Sequence, residues 1–208
     1  LYEIPFMIGI TALLLVFGLT GSSITFIEGV VFLLLFIAFL VYLFIMSKKG
    51  EVQEEGEIKD IPVWKCLLFM VIGGVMVVKG SDFAVSGASW IARFFGMSER
   101  FIGLTIVAFG TSLPELVTSV TAARKGNAGI AIGNIVGSNI FNILFVIGTA
   151  ALICSVPFER KFIIDTIIAV LSGILLWGGT IKKKELRKPC GILMLLGYAA
   201  YFVYLCVI

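Results

Sequence analysis

The sequence contains no histidine, and its four cysteines follow no metal-binding or redox pattern. Cys66, Cys154, Cys190 and Cys206 lie in or beside apolar runs, without Cys-x-x-Cys spacing. Zinc sites and thiol–disulfide centres need Cys and His at short, regular spacings, so the sequence predicts neither. Charged residues are also scarce, at 14% compared with about 25% in typical soluble domains. A soluble fold is therefore not expected.

Hydrophobic residues make up 60% of the 208-residue sequence and lie in long runs. A helix needs about 20 predominantly apolar residues to cross the hydrocarbon core of a bilayer. Charges, prolines and polar turns divide the sequence into seven hydrophobic segments: 4–20, 24–46, 63–95, 99–123, 128–153, 162–180 and 190–208. We predict an all-α integral membrane protein of about seven transmembrane helices, surrounded by lipid.

The third hydrophobic segment, residues 63–95, is too long for one straight span and is interrupted by Lys79-Gly80-Ser81-Asp82. Lys79 and Asp82 are three residues apart in the chain, so they can pair on one face of a helix. We expect a bent, tilted or broken helix at this point.

The longest hydrophilic stretch, residues 47–60, is rich in Glu and Lys and predicts a solvated linker between two groups of helices. Alternating the spans places most cationic residues on the side of this linker: Lys48, Lys49, Lys59, Lys65, Arg124, Lys125, Lys182, Lys183, Lys184, Arg187 and Lys188. Because cationic loops stay in the cytoplasm, we expect the linker to be cytoplasmic, in a plasma or bacterial inner membrane. The net charge of +3 is then a topology signal, and no nucleic-acid partner is predicted.

The span at 99–123 carries an unusual polar insertion, Gly110-Thr111-Ser112-Leu113-Pro114-Glu115. Pro114 has no N–H, and its ring clashes with the carbonyl of Gly110, so the helix must kink or break here. Irregular backbone is tolerated at membrane depth only where it is buried in protein or lines a wet cavity. A bound cation would satisfy the released carbonyl oxygens, which makes the break a candidate ion site.

Glu115 follows the break directly, and a carboxylate at the bilayer centre costs about 2.5–3.5 kcal/mol on insertion scales. Ala108, Thr111, Ser112 and Glu115 share one helical face, which offers carbonyl, hydroxyl and carboxylate oxygens. Hard cations such as Ca²⁺ and Na⁺ prefer these ligands. Taken alone, the hydroxyls are more typical of interhelical hydrogen bonds, so the inference rests on the combination.

The next span carries a second polar stripe, formed by Asn134, Ser138 and Asn142 at intervals of four. Gly133 and Gly137 are also four apart and are expected to permit close helix approach. Two polar stripes that face each other would enclose a cavity near the middle of the membrane.

These residues resemble the sodium/calcium exchanger branch of the cation/calcium exchanger superfamily. The similar motifs are Ala108-Phe109-Gly110-Thr111-Ser112-Leu113-Pro114-Glu115 and Gly133-Asn134-Ile135-Val136-Gly137-Ser138-Asn139-Ile140-Phe141-Asn142. The resemblance covers residues 60–208 strongly and the first two spans loosely. It implies a ten-helix antiporter fold of two inverted halves joined by a cytoplasmic loop. Residues 1–46 would then be the last two helices of the first half, 47–62 the cytoplasmic linker, and 63–208 the second half, with its α-repeat at about 99–153.

The resemblance also implies a function, the exchange of sodium for calcium across the membrane, with both ions bound as transported substrates and no cofactor. The implied ion ligands are the Ala108 backbone oxygen, Thr111, Ser112, Glu115, Ser138 and Asn142. Asn142 replaces an Asp found in some members, so proton coupling stays open as an alternative. No second Thr-Ser-x-Pro-Glu motif occurs in the sequence, so we expect a partner, the N-terminal half of the exchanger with the first α-repeat.

Two further alternatives remain at this stage. One is a membrane fragment that does not transport without a partner half. The other is a membrane enzyme that uses Glu115 as an acid or base, but the sequence offers it neither a nucleophile nor a cofactor motif. We therefore do not predict an enzyme.

Overall fold

The computed structural model describes residues 2–48, 62–97, 99–181, 186 and 188–207, and these are almost entirely helical. The α-helices are α1 (Glu3–Gly21), α2 (Phe26–Lys48), α3 (Val63–Phe94), α4 (Glu99–Ile102), α5 (Ala108–Thr111), α6 (Leu113–Arg124), α7 (Ala128–Phe141), α8 (Gly148–Ile153), α9 (Arg160–Thr180) and α10 (Lys188–Val207). Two π-helical segments, Gly103–Val107 and Asn142–Ile147, and two short strands, β1 (Ser23–Ile24) and β2 (Val156–Pro157), complete the described elements. The predicted all-α architecture is confirmed.

In the part of the chain that the structure describes, six helices are long and apolar enough to cross a membrane, and a seventh span is counted if the bent pair Thr105–Thr111 and Leu113–Arg124 is taken as one. Helices α7 and α8, with the π-helical segment between them, form one of the six. The seven hydrophobic segments predicted from the sequence therefore each correspond to a helical span. The expectation of about seven transmembrane helices is confirmed.

Helix α3 differs from the expectation. It continues for 32 residues without a break, so of the bent, tilted or broken helix expected at Lys79-Gly80-Ser81-Asp82, the broken alternative is wrong. The predicted ion pair is present, with Lys79 Nζ and Asp82 Oδ2 4.0 Å apart and both side chains exposed. An i, i+3 pair stabilises a helix rather than interrupting it. At about 1.5 Å per residue the helix is roughly 48 Å long, so in a hydrocarbon core of about 30 Å it has to tilt or project.

The described chain divides into two compact units, and the first comprises residues 1–54 and 135–197. In this unit α1 packs against α9, and α2 packs against α8 and the second π-helical segment. β1 pairs antiparallel with β2, with Ser23 opposite Pro157 and Ile24 opposite Val156. The Phe158 N–H extends this pairing by donating to the Ser22 carbonyl at 2.9 Å. The turn after α1 is thus fastened to the turn before α9.

Glycine allows a close helix contact in the first unit, where α2 packs against α8. A Cβ added at Gly29 would lie 2.8 Å from Ala151 Cβ and 2.9 Å from the Gly148 carbonyl oxygen. The close approach predicted for Gly133 and Gly137 is not found, because a Cβ at either position meets no heavy atom of the described chain within 4 Å. Helix packing through small residues is therefore present, but at other positions than predicted.

The second unit comprises residues 55–134 and 198–208. Here α3 packs against the first π-helical segment, α5 and α6. Arg93 near the end of α3 holds Glu99 at the start of α4 through two hydrogen bonds, Nε to Oε1 at 2.6 Å and Nη2 to Oε2 at 3.0 Å. The hydrogen bonds from Arg93 and its positive charge hold the pKa of Glu99 below its usual range. The Arg93–Glu99 ion pair therefore connects the end of α3 to the start of the next span.

The predicted linker, residues 47–62, lies almost entirely outside the described residues, so its sidedness stays a prediction. The predicted division assigns residues 1–46 to the first repeat half, 47–62 to the linker and 63–208 to the second repeat half. No feature of the described helices tests this division, so it stays a prediction. Within the first unit, helices from both sides of that linker pack together.

We predict that Gly29→Ala destabilises the protein, because the added methyl group would press on backbone atoms of α8 that cannot move aside independently. Overpacking of this kind costs about 1–3 kcal/mol, and each kcal/mol lowers the melting temperature of a chain of this size by about 2–4 °C. The measurement is the apparent melting temperature in detergent. Gly9→Ala on α1 is the matched control, since a Cβ there meets nothing within 4 Å. Equal melting temperatures for the two variants would contradict the packing described for Gly29.

Candidate ion-binding site

The span that carries the polar insertion is broken at Ser112. Helix α5 ends at Thr111, α6 begins at Leu113, and Ser112 between them has φ −95° and ψ 1°. The helical segments on the two sides of this residue are inclined by 51°. Pro114 occupies the first turn of α6, where its missing N–H costs nothing because first-turn N–H groups have no intrahelical partner. The break predicted from Pro114 is confirmed, and the new helix starts just before the proline.

The break leaves the Gly110 carbonyl oxygen without its regular hydrogen-bond donor, because residue 114 is proline. The Ser112 N–H donates to the Phe109 carbonyl, three residues back, at 3.1 Å, so the last turn of α5 is tightened. The Gly110 oxygen therefore lacks the partner that a continuous helix would supply, and Ala108, one of the predicted ligands, lies two residues before it.

Ser112 and Glu115 have the sequence pattern of a capping box, Ser-x-x-Glu, but the Ser112 side chain makes no capping hydrogen bond. The related pattern at Thr25 and Glu28 forms one of the two capping-box hydrogen bonds, in which the Thr25 N–H donates to Glu28 Oε2 at 2.7 Å. At Ser112 the N–H is engaged at the end of α5, and the side chain makes no capping bond to α6. The Ser112 hydroxyl is thus not used to start its own helix.

Glu115 lies in the first turn of α6, next to the break. Its side chain is half-buried, and the Oε2 atom is buried. The positive end of the helix dipole favours a carboxylate at this position. An acidic group therefore lies in the middle of the broken span, five residues after Gly110 and seven after Ala108.

Helix α7 meets this region through Asn134. Its Nδ2 donates to the Glu115 carbonyl at 3.1 Å and to Ser119 Oγ at 3.0 Å. The first member of the predicted polar stripe on α7 therefore faces α6, as expected. Ser138 follows one turn later and is half-buried, and Asn142 is exposed at the start of the second π-helical segment.

The π-helical segments are features that the sequence interpretation missed. The first, Gly103–Val107, ends immediately before Ala108, and the second begins at Asn142. A π-helical turn widens the helix and is frequent at functional sites because it redirects backbone groups. The first segment begins with Gly103 and the second is followed by Gly148, but glycine is too common in these spans to have signalled them.

An apolar cavity also adjoins the break, on a different face from the predicted ligands. A cavity of about 740 Å³ is lined by α3, the broken span and α10, including Val85, Phe109 and Phe202. None of the six predicted ligands lines it. The apolar and polar faces of the broken span are therefore separate, and the oxygen-rich face is the candidate site.

The oxygen types at the break suit a hard cation. Carbonyl, hydroxyl and carboxylate groups are the ligands that Ca²⁺ and Na⁺ prefer. Among the described residues no group of three or more His, Cys, Asp or Glu side chains is placed to hold a metal ion. Of the six predicted ligands, Glu115 is the acidic one, and the other five offer neutral oxygens.

Comparison with known proteins gives the family. The family model for the sodium/calcium exchanger protein matches residues 65–207. This chain belongs to the sodium/calcium exchanger family. The match includes the broken span, α7 and every predicted ligand, so the resemblance inferred from the two motifs is confirmed.

Relatives and solved structures agree with this assignment. Membrane protein MJ0091 of Methanocaldococcus jannaschii is 35% identical over 183 residues, which is 88% of this chain and 58% of that protein. The sodium/calcium exchanger MaX1 of Methanosarcina acetivorans is 50% identical over 92 residues, which is 44% of this chain and 26% of that protein. A structure of the sodium-calcium exchanger NCX_Mj superposes with a TM-score of 0.78 at 32% identity, covering 98% of this chain and 65% of that one.

The exchanger fold and family are those of integral membrane transporters rather than of enzymes. The chain spans 58% of MJ0091 and 65% of NCX_Mj. What it shares with them is the fold of the matched helices, and the roles of individual residues in ion binding are taken up below as proposals.

We predict that Gly110→Ala disturbs the break, because a Cβ there would overlap Val85 Cγ2 on α3. Gly110 is buried, and overpacking at such a contact costs about 1–3 kcal/mol. The double variant Gly110→Ala with Val85→Ala removes the overlapping methyl group and should recover part of the loss. The measurement is the apparent melting temperature of the single and double variants in detergent. A double variant no more stable than Gly110→Ala would contradict the contact.

Proposed function

We propose that this chain supplies one half of a secondary antiporter that exchanges sodium for calcium across the membrane. The observation that carries the proposal is the position of Glu115, a half-buried carboxylate in the first turn of the helix that restarts after the break. A carboxylate at membrane depth is costly and is retained where an ion or proton must bind. Antiporters of this kind bind ions near the bilayer midplane on discontinuous helices.

The proposed ion ligands are the Ala108 backbone oxygen and the side chains of Thr111, Ser112, Glu115, Ser138 and Asn142. Support for the first group, the ligands on the broken span, comes from the break, which removes the regular donor of the Gly110 carbonyl and leaves the Ser112 hydroxyl out of helix capping. Support for the second group comes from α7, whose polar stripe begins at Asn134 in contact with Glu115. Ser138 and Asn142 continue that stripe at intervals of four residues.

Charge supports the proposal that a second half completes the site. One carboxylate cannot neutralise Ca²⁺ in a medium of low dielectric constant, where uncompensated charge is costly. Thr111, Ser112 and Asn142 are also exposed, as expected if further helices cover them in the working transporter. The partner we propose is the N-terminal half of the exchanger, carrying the first α-repeat and a second acidic ligand.

Sodium coupling is favoured over proton coupling by the ligand set. Five of the six proposed ligands are neutral oxygens that bind Na⁺ without releasing a proton, and the sequence has no histidine to relay protons. The amide of Asn142 is the one feature that favours the alternative, because it reduces the negative charge available to cations. A proton-coupled calcium antiporter is therefore the second candidate.

The proposal also includes the orientation of the protein in the membrane and the direction of calcium transport. The linker at 47–62 and the other cationic loops lie in the cytoplasm, and the protein resides in the plasma or bacterial inner membrane. The inward sodium gradient would then drive calcium out of the cell by alternating access to one site.

We predict sodium-gradient-driven ⁴⁵Ca²⁺ flux in proteoliposomes that contain this chain together with a chain bearing the first α-repeat. Glu115→Gln should abolish the flux, because it removes the charge that offsets the cation while it keeps the side-chain shape. Glu28→Gln is the matched control, since Glu28 accepts hydrogen bonds from Thr25 at the start of α2 and belongs to no proposed ligand set.

Three outcomes separate the alternatives. Flux that requires both chains and Glu115 supports the exchanger with a completing half. Flux that follows a pH gradient and ignores sodium replaces sodium coupling with proton coupling. The absence of any gradient-driven flux, with the chain folded and both chains present, contradicts the transport proposal.

A further inference from the structure

Three hydrogen bonds join α6 to α7 beside the break. Asn134 Nδ2 donates to the Glu115 carbonyl at 3.1 Å and to Ser119 Oγ at 3.0 Å. Ser119 Oγ in turn approaches the Ala131 carbonyl at 3.4 Å. We call Asn134 and Ser119 together the α6–α7 brace. None of its members is among the six proposed ion ligands.

The chemistry of the brace requires an amide at position 134. A side-chain amide nitrogen carries two protons, and Asn134 uses both, one for each partner on α6. Ser119 is buried, so its hydroxyl needs hydrogen-bond partners. A hydroxyl or an apolar side chain at residue 134 could not hold both groups at once. The brace is thus a specific connection rather than general helix packing.

The turn between α6 and α7 supports the brace. Ala122 near the end of α6 and Ala131 in the first turn of α7 are both buried. Gly126, with φ +82°, forms the turn between the helices, and the Asn127 N–H donates to the Ala122 carbonyl at 2.9 Å. The helical hairpin therefore holds Asn134 at a fixed distance from the start of α6.

The brace holds the first turn of α6, which is the turn that carries Glu115. Glu115 is in the first turn, where backbone N–H groups have no intrahelical acceptor and the preceding span is broken. The hydrogen bond from Asn134 on α7 reaches the Glu115 carbonyl oxygen in that turn. This oxygen is three bonds away from the Glu115 Cβ, which sets the direction of the carboxylate. A rotation of the first turn would move the carboxylate by several times the displacement of the backbone.

We propose that Asn134, with Ser119, is a positioning residue that fixes the Glu115 carboxylate in the ion site. The inference rests on the proposed function and deepens it by assigning the group that orients the acidic ligand. Removing a residue that orients a metal ligand by hydrogen bonding commonly changes metal affinity by about 10- to 100-fold. Asn134 therefore acts on ion affinity through Glu115, without touching the ion.

The test uses Asn134→Leu, which keeps the branching and the number of side-chain heavy atoms and removes both donors. Ser119 Oγ keeps the Ala131 carbonyl as a partner, and the Glu115 carbonyl keeps the Ser119 N–H of the regular helix. The variant therefore leaves no buried polar group without a partner, and its melting temperature should stay within about 3 °C of the parent. Equilibrium ⁴⁵Ca²⁺ binding by the two-chain preparation should weaken about 10-fold or more.

Asn139→Leu is the matched control. Asn139 lies on the same helix, is exposed, and donates only to the Ile135 carbonyl of its own turn at 2.9 Å. It receives the same substitution without contact to α6, so its calcium affinity should equal that of the parent. Ser119→Ala should weaken binding less than Asn134→Leu, because Asn134 still grips the Glu115 carbonyl.

The outcomes distinguish failure of the inference from failure of the proposed function. If the parent binds ⁴⁵Ca²⁺ and loses it with Glu115→Gln, but Asn134→Leu binds as tightly as the parent, the positioning role is contradicted and the ion site stands. Equal losses for Asn134→Leu and Asn139→Leu also contradict it, since the effect then belongs to the helix as a whole. If the parent itself binds no calcium, both proposals fail together.

Discussion

The structure depends on the rule that backbone polar groups at membrane depth need partners. A continuous helix satisfies them internally, and this chain gives up that arrangement at Ser112, where two helical segments meet at 51°. The Gly110 carbonyl loses its regular donor there, and Glu115 lies in the first turn of the new helix, at its positive end. A bound ion that accepts carbonyl and carboxylate ligands would offset the cost of both features.

The elements around the break hold it in one shape. Gly110 allows α3 to pack directly against the end of α5, where Val85 fills the space that a side chain would occupy. Asn134 holds the start of α6 from the other helix of the hairpin. The two sides of the break are thus fixed by different neighbours, which is what a site of defined geometry requires, since loosely held ligands bind ions weakly.

The sequence predicts the helical spans well because each is a long apolar run, and it predicts the break because Pro114 cannot continue a helix. It fails at residues 79–82, where a Lys–Asp pair interrupts the apolar pattern and yet is compatible with a continuous helix. It also misplaces the packing glycines, because Gly29 and Gly133 look alike until the neighbouring helices are known. The π-helical segments and the Asn134 contact depend on tertiary packing, which local sequence does not encode.

The most direct measurement of the central claim is the rate at which a hydrophobic carbodiimide modifies the Glu115 carboxylate, followed by mass spectrometry of the modified peptide. The account predicts that Ca²⁺ and Na⁺ each slow the reaction at Glu115 in the two-chain preparation, because a bound ion occupies the carboxylate oxygens. Glu99, which pairs with Arg93 outside the candidate site, should react at the same rate with and without these ions. A Glu115 rate that neither ion changes would contradict an ion site at the break.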